Sequence, residues 1–177
     1  GFNLVNQSDT DIPSPEEDGA TFVENALIKA RAVSAATDLP SIADDSGLVV
    51  SALGGAPGIF SARYAGETAT DADNNARLLR ELAPHADRRA SFFCCMVFLR
   101  SAQDPTPLIA TGQWHGEILT EPRGSGGFGY DPLFWVADLK KSAAELVKAD
   151  KNTISHRGQA CALMLQSLNA QPFTSTP

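Results

Sequence analysis

The chain lacks the features that mark several large classes of protein. Its charge is not basic: 14 Lys and Arg stand against 21 Asp and Glu, a net charge of −7, whereas a nucleic-acid-binding protein needs a basic face. No apolar run approaches the roughly 18 residues of a membrane-spanning helix. We therefore expect neither a nucleic acid polymer nor a membrane as partner. A nucleotide is compatible with the charge, because a metal ion and local cations can offset its phosphates.

Cysteine is scarce, and common catalytic motifs are missing. None of the three cysteines lies in a C-x-x-C pair, and Cys94 and Cys95 are neighbours in a strand-like run. We interpret these two and the third, Cys161, as reduced core thiols of a cytoplasmic protein. The sequence has no Walker A, H-E-x-x-H or G-x-S-x-G pattern, so these three kinds of site are not predicted.

Length and patterning predict one α/β domain over residues 1–177, with 43% hydrophobic and 20% charged residues, as in a globular protein. Capping patterns at Thr21-x-x-Glu24 and Ser142-x-x-Glu145, and Ser155 before an apolar stripe, indicate helix starts. A further helix is predicted over 71–82, and strands over 2–6, 41–44, 48–50, 92–99, 108–119 and 133–136. The runs 92–99 and 108–119 indicate an antiparallel pair, and the class is α/β with a mixed sheet.

The densest group of candidate site residues is the loop Gly124–Pro132, which holds four glycines, two aromatics and one carboxylate. Glycine lets a backbone approach a ligand closely, and an aromatic ring offers a stacking surface. The loop matches the dinucleotide fingerprint G-x-G-x-x-G, but that motif needs a strand before it and a helix starting inside it. A strand-like run follows instead. We interpret the stretch as a loop around a small planar or anionic ligand; the alternative is a glycine-rich turn.

Two neighbouring carboxylates, Asp44 and Asp45, precede Ser46 and Gly47 near a predicted strand end. Because successive strand side chains point to opposite faces, one carboxylate can face a cleft while the other pairs internally or caps a turn. A carboxylate so placed suits a metal ligand or a general base. Either residue can take that place, and the alternative is a polar turn with solvated aspartates.

Cations surround the start of the last predicted helix, at Lys151, His156 and Arg157. A helix N-terminus disfavours cations by some tenths of a kcal/mol each, roughly. A bound anion explains them, because the free N–H groups, the helix dipole and the side chains all attract it, and Arg suits phosphate. The alternative is that these cations point into water, where the dipole effect is small and screened.

A third candidate group is Asn25 and Lys29, four residues apart on the first predicted helix, with Glu17 upstream. Taken singly, such residues are more typical of solvated helix surface than of a site. The groups together predict a nucleotide polyphosphate site. A carboxylate would hold Mg²⁺ against the phosphates, the glycine loop would cover the base, and Asp131 would accept a base N–H.

Five blocks of the sequence, in this order, resemble the inosine/xanthosine triphosphate pyrophosphatases, a family that removes deaminated purine nucleotides. The resemblance runs from about Gly19 to about Leu168. The blocks are Thr21–Ala26 with Lys29-Ala30, Ala43–Leu48, Gly54–Gly58 with Ser61–Tyr64, Gly127–Pro132, and Ser155–Arg157.

The resemblance implies hydrolysis of ITP, dITP, XTP and dXTP between the α- and β-phosphates, with Mg²⁺ required. It implies an elongated α/β fold with a central cleft between two lobes, in a cytoplasmic homodimer. It implies Asp45 as proton acceptor and Mg²⁺ ligand, and Glu17 as a further metal ligand. The implied substrate-binding residues are Ser46, Phe128, Gly129, Tyr130, Asp131, Lys151, His156 and Arg157, with Phe128 stacking on the base.

One part of the family pattern is missing from this sequence. The family begins with a strand, a triphosphate-binding loop Ser/Thr-x-Asn-x-x-Lys and a helix, and neither Asn3 nor Asn6 has that context. We hypothesise that the chain is N-terminally incomplete, which an intact mass well above 18.7 kDa would support. If the polypeptide starts at Gly1, the alternative is a non-catalytic nucleotide-binding protein or an inactive fragment.

Overall fold

A computed structural model describes residues 3–170. Five strands form one sheet in the order in which they follow along the chain. They are β1 (Ser41–Val50), β2 (Arg89–Leu99), β3 (Leu108–Ile118), β4 (Phe134–Val136) and β5 (Lys141–Ser142). The helices are α1 (Phe22–Thr37), α2 (Asp71–Leu82), α3 (Lys148–Ile154) and α4 (His156–Ala170). The predicted α/β class is confirmed, and residues 92–99 and 108–119 pair antiparallel as expected.

The sheet within residues 3–170 is antiparallel throughout, where a mixed sheet was expected. Each strand pairs with the next one along the chain and reverses direction, so this range contains no parallel pair. The predicted strand 2–6 is wrong in its described part: residues 3–6 form no strand, and Gln7–Asp9 forms a 3₁₀ turn. Phe2 lies outside the described residues.

Strand β1 is one unbroken strand, whereas the sequence predicted two short ones. Residues Asp45, Ser46 and Gly47 favour turns, but every residue from Ser41 to Val50 pairs with β2. Strand preference depends on neighbouring strands more than on the residue itself. The paired edge of β2 therefore overrides the local turn preference.

Helices α1 and α4 cover opposite faces of the sheet. The Thr21 hydroxyl accepts the Glu24 N–H (3.3 Å) and caps α1, an interaction that contributes about 1 kcal/mol. Helix α1 packs on one set of β2 side chains and α4 on the alternate set, so β2 is buried on both sides. Its continuous apolar run predicted that burial.

A second core lies at the other end of the sheet, between α2 and the segment that follows β3. The Ser155 hydroxyl accepts the Gly158 N–H (3.2 Å) and caps α4 as predicted. The Ser142–Glu145 capping box also forms, although it opens a 3₁₀ turn. In the part of the chain that the structure describes, no helix combines the length and the apolarity needed to cross a membrane.

Candidate active site

All eight predicted substrate-binding residues line one cleft, of about 190 Å³. Its walls come from β1, the start of α2, the glycine loop 124–132 and the junction of α3 with α4. The lining includes Ser46, Phe128, Gly129, Tyr130, Asp131, Lys151, His156 and Arg157. Asp45 immediately precedes Ser46 on β1 and points to the opposite face, towards α1.

Asp45 is held by two side chains of α1. Asn25 Nδ2 donates to Asp45 Oδ2 and Lys29 Nζ donates to Oδ1, both at 3.2 Å. Lys29 Nζ also lies 3.3 Å from Glu17 Oε1. Asn25 is fully buried and Asp45 is 8% exposed. The interpretation of Asn25 and Lys29 as solvated helix surface is therefore wrong: both orient the candidate catalytic carboxylate.

The donor set around Asp45 fits Mg²⁺. Within residues 3–170, no three His, Cys, Asp or Glu side chains converge to hold a metal ion. Two carboxylates, Asp45 and Glu17, do meet at the same ammonium group. Mg²⁺ is commonly held by one or two carboxylates together with substrate phosphates. Asp45 and Glu17 thus direct two carboxylate oxygens at one point, which suits an ion that arrives with a polyphosphate.

Asp44 points to the other face of β1 and pairs with Arg157 (Nε to Oδ2, 3.1 Å). The same oxygen lies 3.5 Å from Ser46 Oγ and 3.7 Å from Cys94 Sγ. Alternation along β1 thus separates the two carboxylates, and the solvated-turn alternative is wrong. Burial, followed by the charge of Asp44, raises the pKa of the Cys94 thiol. Cys161, predicted as a core thiol, is exposed, so that part of the prediction is wrong.

Asp131 organises the glycine loop from within. It is 2% exposed, accepts the Phe128 N–H at 2.9 Å and pairs with Lys151. Gly127 has φ +75°, and a Cβ there would lie 2.0 Å from Asp131 Oδ2, so only glycine fits against this carboxylate. The carboxylate therefore already holds both the loop and a cation.

The two aromatic rings of the loop differ in environment. Phe128 is 63% exposed, with Lys151 Nζ 5.0 Å and Arg157 Cζ 5.8 Å from its ring centroid. Tyr130 is buried and donates from its hydroxyl to the Ser61 carbonyl (2.9 Å). Burial also raises the pKa of Tyr130. Phe128 is thus the ring available for stacking, and Tyr130 supports the cleft wall.

His156 is a neutral, buried ring at the start of α4. It is 7% exposed and stacks on Phe92, with ring centroids 4.9 Å apart. Burial, then the charges of Arg157 and Lys151, lower the pKa of His156 from 6.5 to about 4, against a smaller opposing effect of Asp44. Its Nδ1 has no protein partner among the described residues. At neutral pH the cleft thus presents an uncharged imidazole beside two cations.

We expect His156 to make the protein acid-sensitive between pH 6.5 and about 4. The folded state disfavours protonation of His156 in this window. The stabilisation that the neutral imidazole contributes is therefore complete above pH 6.5 and is lost as the pH falls towards about 4. The pKa difference corresponds to roughly 3 kcal/mol. Melting temperatures of wild type and His156→Gln at pH 7.5 and 5 measure this acid sensitivity. The melting temperature of the wild type should fall further between the two pH values than that of the variant. Equal losses would contradict the prediction.

Comparisons with known proteins identify relatives of this chain. A sequence model of the Ham1 family matches residues 2–167. A dITP/XTP pyrophosphatase of Shigella flexneri is 55% identical over 170 residues, which cover 95% of this chain and 86% of that protein. A dITP/XTP pyrophosphatase of Escherichia coli (strain K12) is 54% identical over 170 residues, with the same two coverages.

Solved structures show the same fold. A HAM1 protein from Coxiella burnetii superposes with a TM-score of 0.90 at 50% identity, covering 93% of this chain and 85% of that one. The Staphylococcus aureus Ham1 protein gives a TM-score of 0.83 at 45% identity, with coverages of 92% and 82%.

Proposed function

The chain belongs to the Ham1 family, and on that basis we propose that it hydrolyses deaminated purine nucleoside triphosphates. ITP, dITP, XTP and dXTP would give the nucleoside monophosphate and pyrophosphate, which removes deaminated purines from the nucleotide pool. One observation carries the proposal: a single cleft joins an exposed aromatic ring to two cations, and the oriented Asp45 is the neighbour along β1 of Ser46, which lines that cleft. The ring would stack on the base, the cations would bind the phosphates, and the carboxylate would activate the attacking water.

Asp45 is the general base of this proposal. Its two oxygens are held by Asn25 and Lys29, which fixes the direction in which a water would be deprotonated, and positioned general bases contribute roughly 10²–10⁴-fold. Asp45 and Glu17 would hold Mg²⁺. When bound, Mg²⁺ neutralises charge on the phosphate oxygens.

Lys151, His156 and Arg157 account for binding and selection. Arg157 and Lys151 supply positive charge for phosphate and for the 6-oxo edge of the base. Both groups only donate hydrogen bonds, and a 6-amino group would face them without an acceptor. A buried polar group without a partner costs about 1–3 kcal/mol, enough to disfavour ATP.

The proposal also covers the assembly and surroundings of the protein. Residues 1–177 would form one nucleotide pyrophosphatase domain that acts as a cytoplasmic, Mg²⁺-dependent homodimer. These points rest on the resemblance of the sequence blocks to the pyrophosphatase family. Sedimentation of the purified chain with and without ITP tests the dimer.

The activity is tested by the product released from ITP, with ATP and GTP as comparison substrates and with Mg²⁺ present or chelated. Pyrophosphate release from ITP that disappears on chelation supports the proposal. Orthophosphate release would indicate a general nucleoside triphosphatase instead. ITP binding without turnover would indicate a non-catalytic nucleotide-binding protein.

Phe128 gives a prediction about binding. We expect Phe128→Ala to raise the KM for ITP by about tenfold and to change kcat little, because stacking on an aromatic ring contributes roughly 1–3 kcal/mol per base. The ring is mostly exposed, so the melting temperature should hold. Phe128→Tyr keeps a stacking face and is the matched control. A KM for Phe128→Ala equal to that of wild type would exclude stacking.

A further inference from the structure

The peptide groups of Gly129 are held by two side chains of α2. Gly129 N–H donates to Asp71 Oδ2 at 2.6 Å, and Asn75 Nδ2 donates to the Gly129 carbonyl at 2.8 Å. Both bonds connect residues more than 50 positions apart along the chain. Helix α2 thus contacts the glycine loop through the residue that immediately follows Phe128.

These two bonds matter because they join the outer part of the loop to a helix, whereas the other backbone hydrogen bonds of Phe128 stay within the loop, with Asp131. The Phe128 ring is mostly exposed, so side-chain packing does not set its place. Gly129 has φ +58°, and no atom lies within 4 Å of the position of a Cβ there. On the other side, Asp131 accepts the Phe128 N–H. The backbone on both sides of the ring is therefore held by carboxylates from two different elements.

The amide of Asn75 is oriented for this contact. Its Nδ2 donates to two carbonyls, of Asp71 and of Gly129, each at 2.8 Å. Both partners are acceptors, so the amide nitrogen must lie on this side. Its Oδ1 is then buried without a protein partner among the described residues. A buried unpaired oxygen is unfavourable. The Asn75 amide keeps this orientation because its nitrogen then donates to both carbonyls.

We propose that Asp71 and Asn75 are positioning residues that set the place of Phe128 over the purine base. The inference rests on the proposed function and deepens it: α2, which carries none of the predicted site residues, determines how well the base is held. Neither residue is required to touch the base or the phosphates. Loss of the contact should weaken nucleotide binding and leave the hydrolytic step almost unchanged.

The decisive variant is Asp71→Ala, which removes the acceptor of Gly129 N–H. We expect the KM for ITP to rise about tenfold, the usual scale for losing a hydrogen bond to a charged group, with kcat within about threefold of wild type. Asp71→Asn keeps an acceptor oxygen and should restore most of the affinity. Asn75→Leu should also raise KM, because the Gly129 carbonyl loses its donor.

Asp73→Ala is the matched control in the same turn of α2. Asp73 Oδ2 accepts the Thr70 N–H (2.9 Å) in a capping box and makes no contact with the loop. Its loss should lower the melting temperature without changing KM. If Asp73→Ala raises KM as much as Asp71→Ala does, the effect is one of helix stability and the proposal is overturned.

Hydrogen exchange of the Gly129 amide separates this proposal from the proposed function. In the free protein, Asp71→Ala should speed exchange at Gly129, and an unchanged rate would overturn the proposed positioning role of Asp71. If wild type binds ITP without hydrolysing it, the proposed function fails. The positioning role is then tested by the dissociation constant of ITP, which Asp71→Ala should raise about tenfold. Equal constants for Asp71→Ala and wild type would overturn that role.

Discussion

Replacing Asp45 with asparagine is expected to lower kcat for ITP on the order of 10³-fold, the scale of a lost general base. Asparagine keeps the shape and an acceptor oxygen for Asn25, but it cannot take a proton from water. Lys29 keeps an ionic partner in Glu17 (3.3 Å), so the variant should fold. Pyrophosphate release under saturating ITP, with a melting curve of the same preparation, measures both.

The adjacent carboxylate provides the control. Asp44→Asn changes the same functional group on the same strand, but its side chain faces Arg157 on the other side of the sheet. We expect a raised KM with kcat near that of wild type, because Arg157 loses a charged partner. Comparable kcat values for Asp45→Asn and Asp44→Asn would remove Asp45 from its catalytic role.

Gly112→Ala is expected to lower the free energy of unfolding by about 3 kcal/mol, at the upper end of the usual cost of overpacking. A Cβ at Gly112 would lie 2.0 Å from the His156 carbonyl oxygen and 2.8 Å from the Ala160 nitrogen. Both obstacles are backbone atoms, so α4 must move away from β3. Because His156 lines the cleft, the KM for ITP should rise as well.

The effect should appear as a fall in melting temperature of roughly 6–12 °C for a chain of this size. Thr111→Ala is the matched control, since Thr111 is the exposed neighbour on the opposite face of β3, and surface substitutions usually cost little. A Gly112→Ala protein that melts with the wild type would contradict this prediction, because a methyl group at residue 112 would then meet no fixed backbone of α4.

The elements that depend on local physics were predictable from the sequence. The Thr21 cap, the helix 71–82 and the buried run of β2 all follow from signals within a few residues. The predicted strand 2–6 and the break in β1 failed for the opposite reason. There the outcome depends on which segments lie alongside, and a turn-forming composition says nothing about a partner strand.

The site was predictable in its residue types and only partly in its contacts. Spacing along a helix places Asn25 and Lys29 on one face, but Asp45 meets them from 20 and 16 residues away. One local signal was available: each of these polar residues directly precedes a fully buried alanine, Ala26 or Ala30. For these two residues, position beside a buried stripe is a better guide to burial than residue type alone.

The alternation of β1 has a consequence for refolding. Asp44 and Asp45 serve α4 and α1 from adjacent positions, so a slip of one residue against β2 would turn each carboxylate to the opposite face of the sheet. The slip would also bring a side chain to the place of Gly47, where a Cβ would lie 2.3 Å from the Gly58 carbonyl oxygen. A misaligned molecule would lose turnover altogether and would not acquire a new substrate. Specific activity recovered after denaturation therefore counts the fraction of molecules with correctly aligned strands.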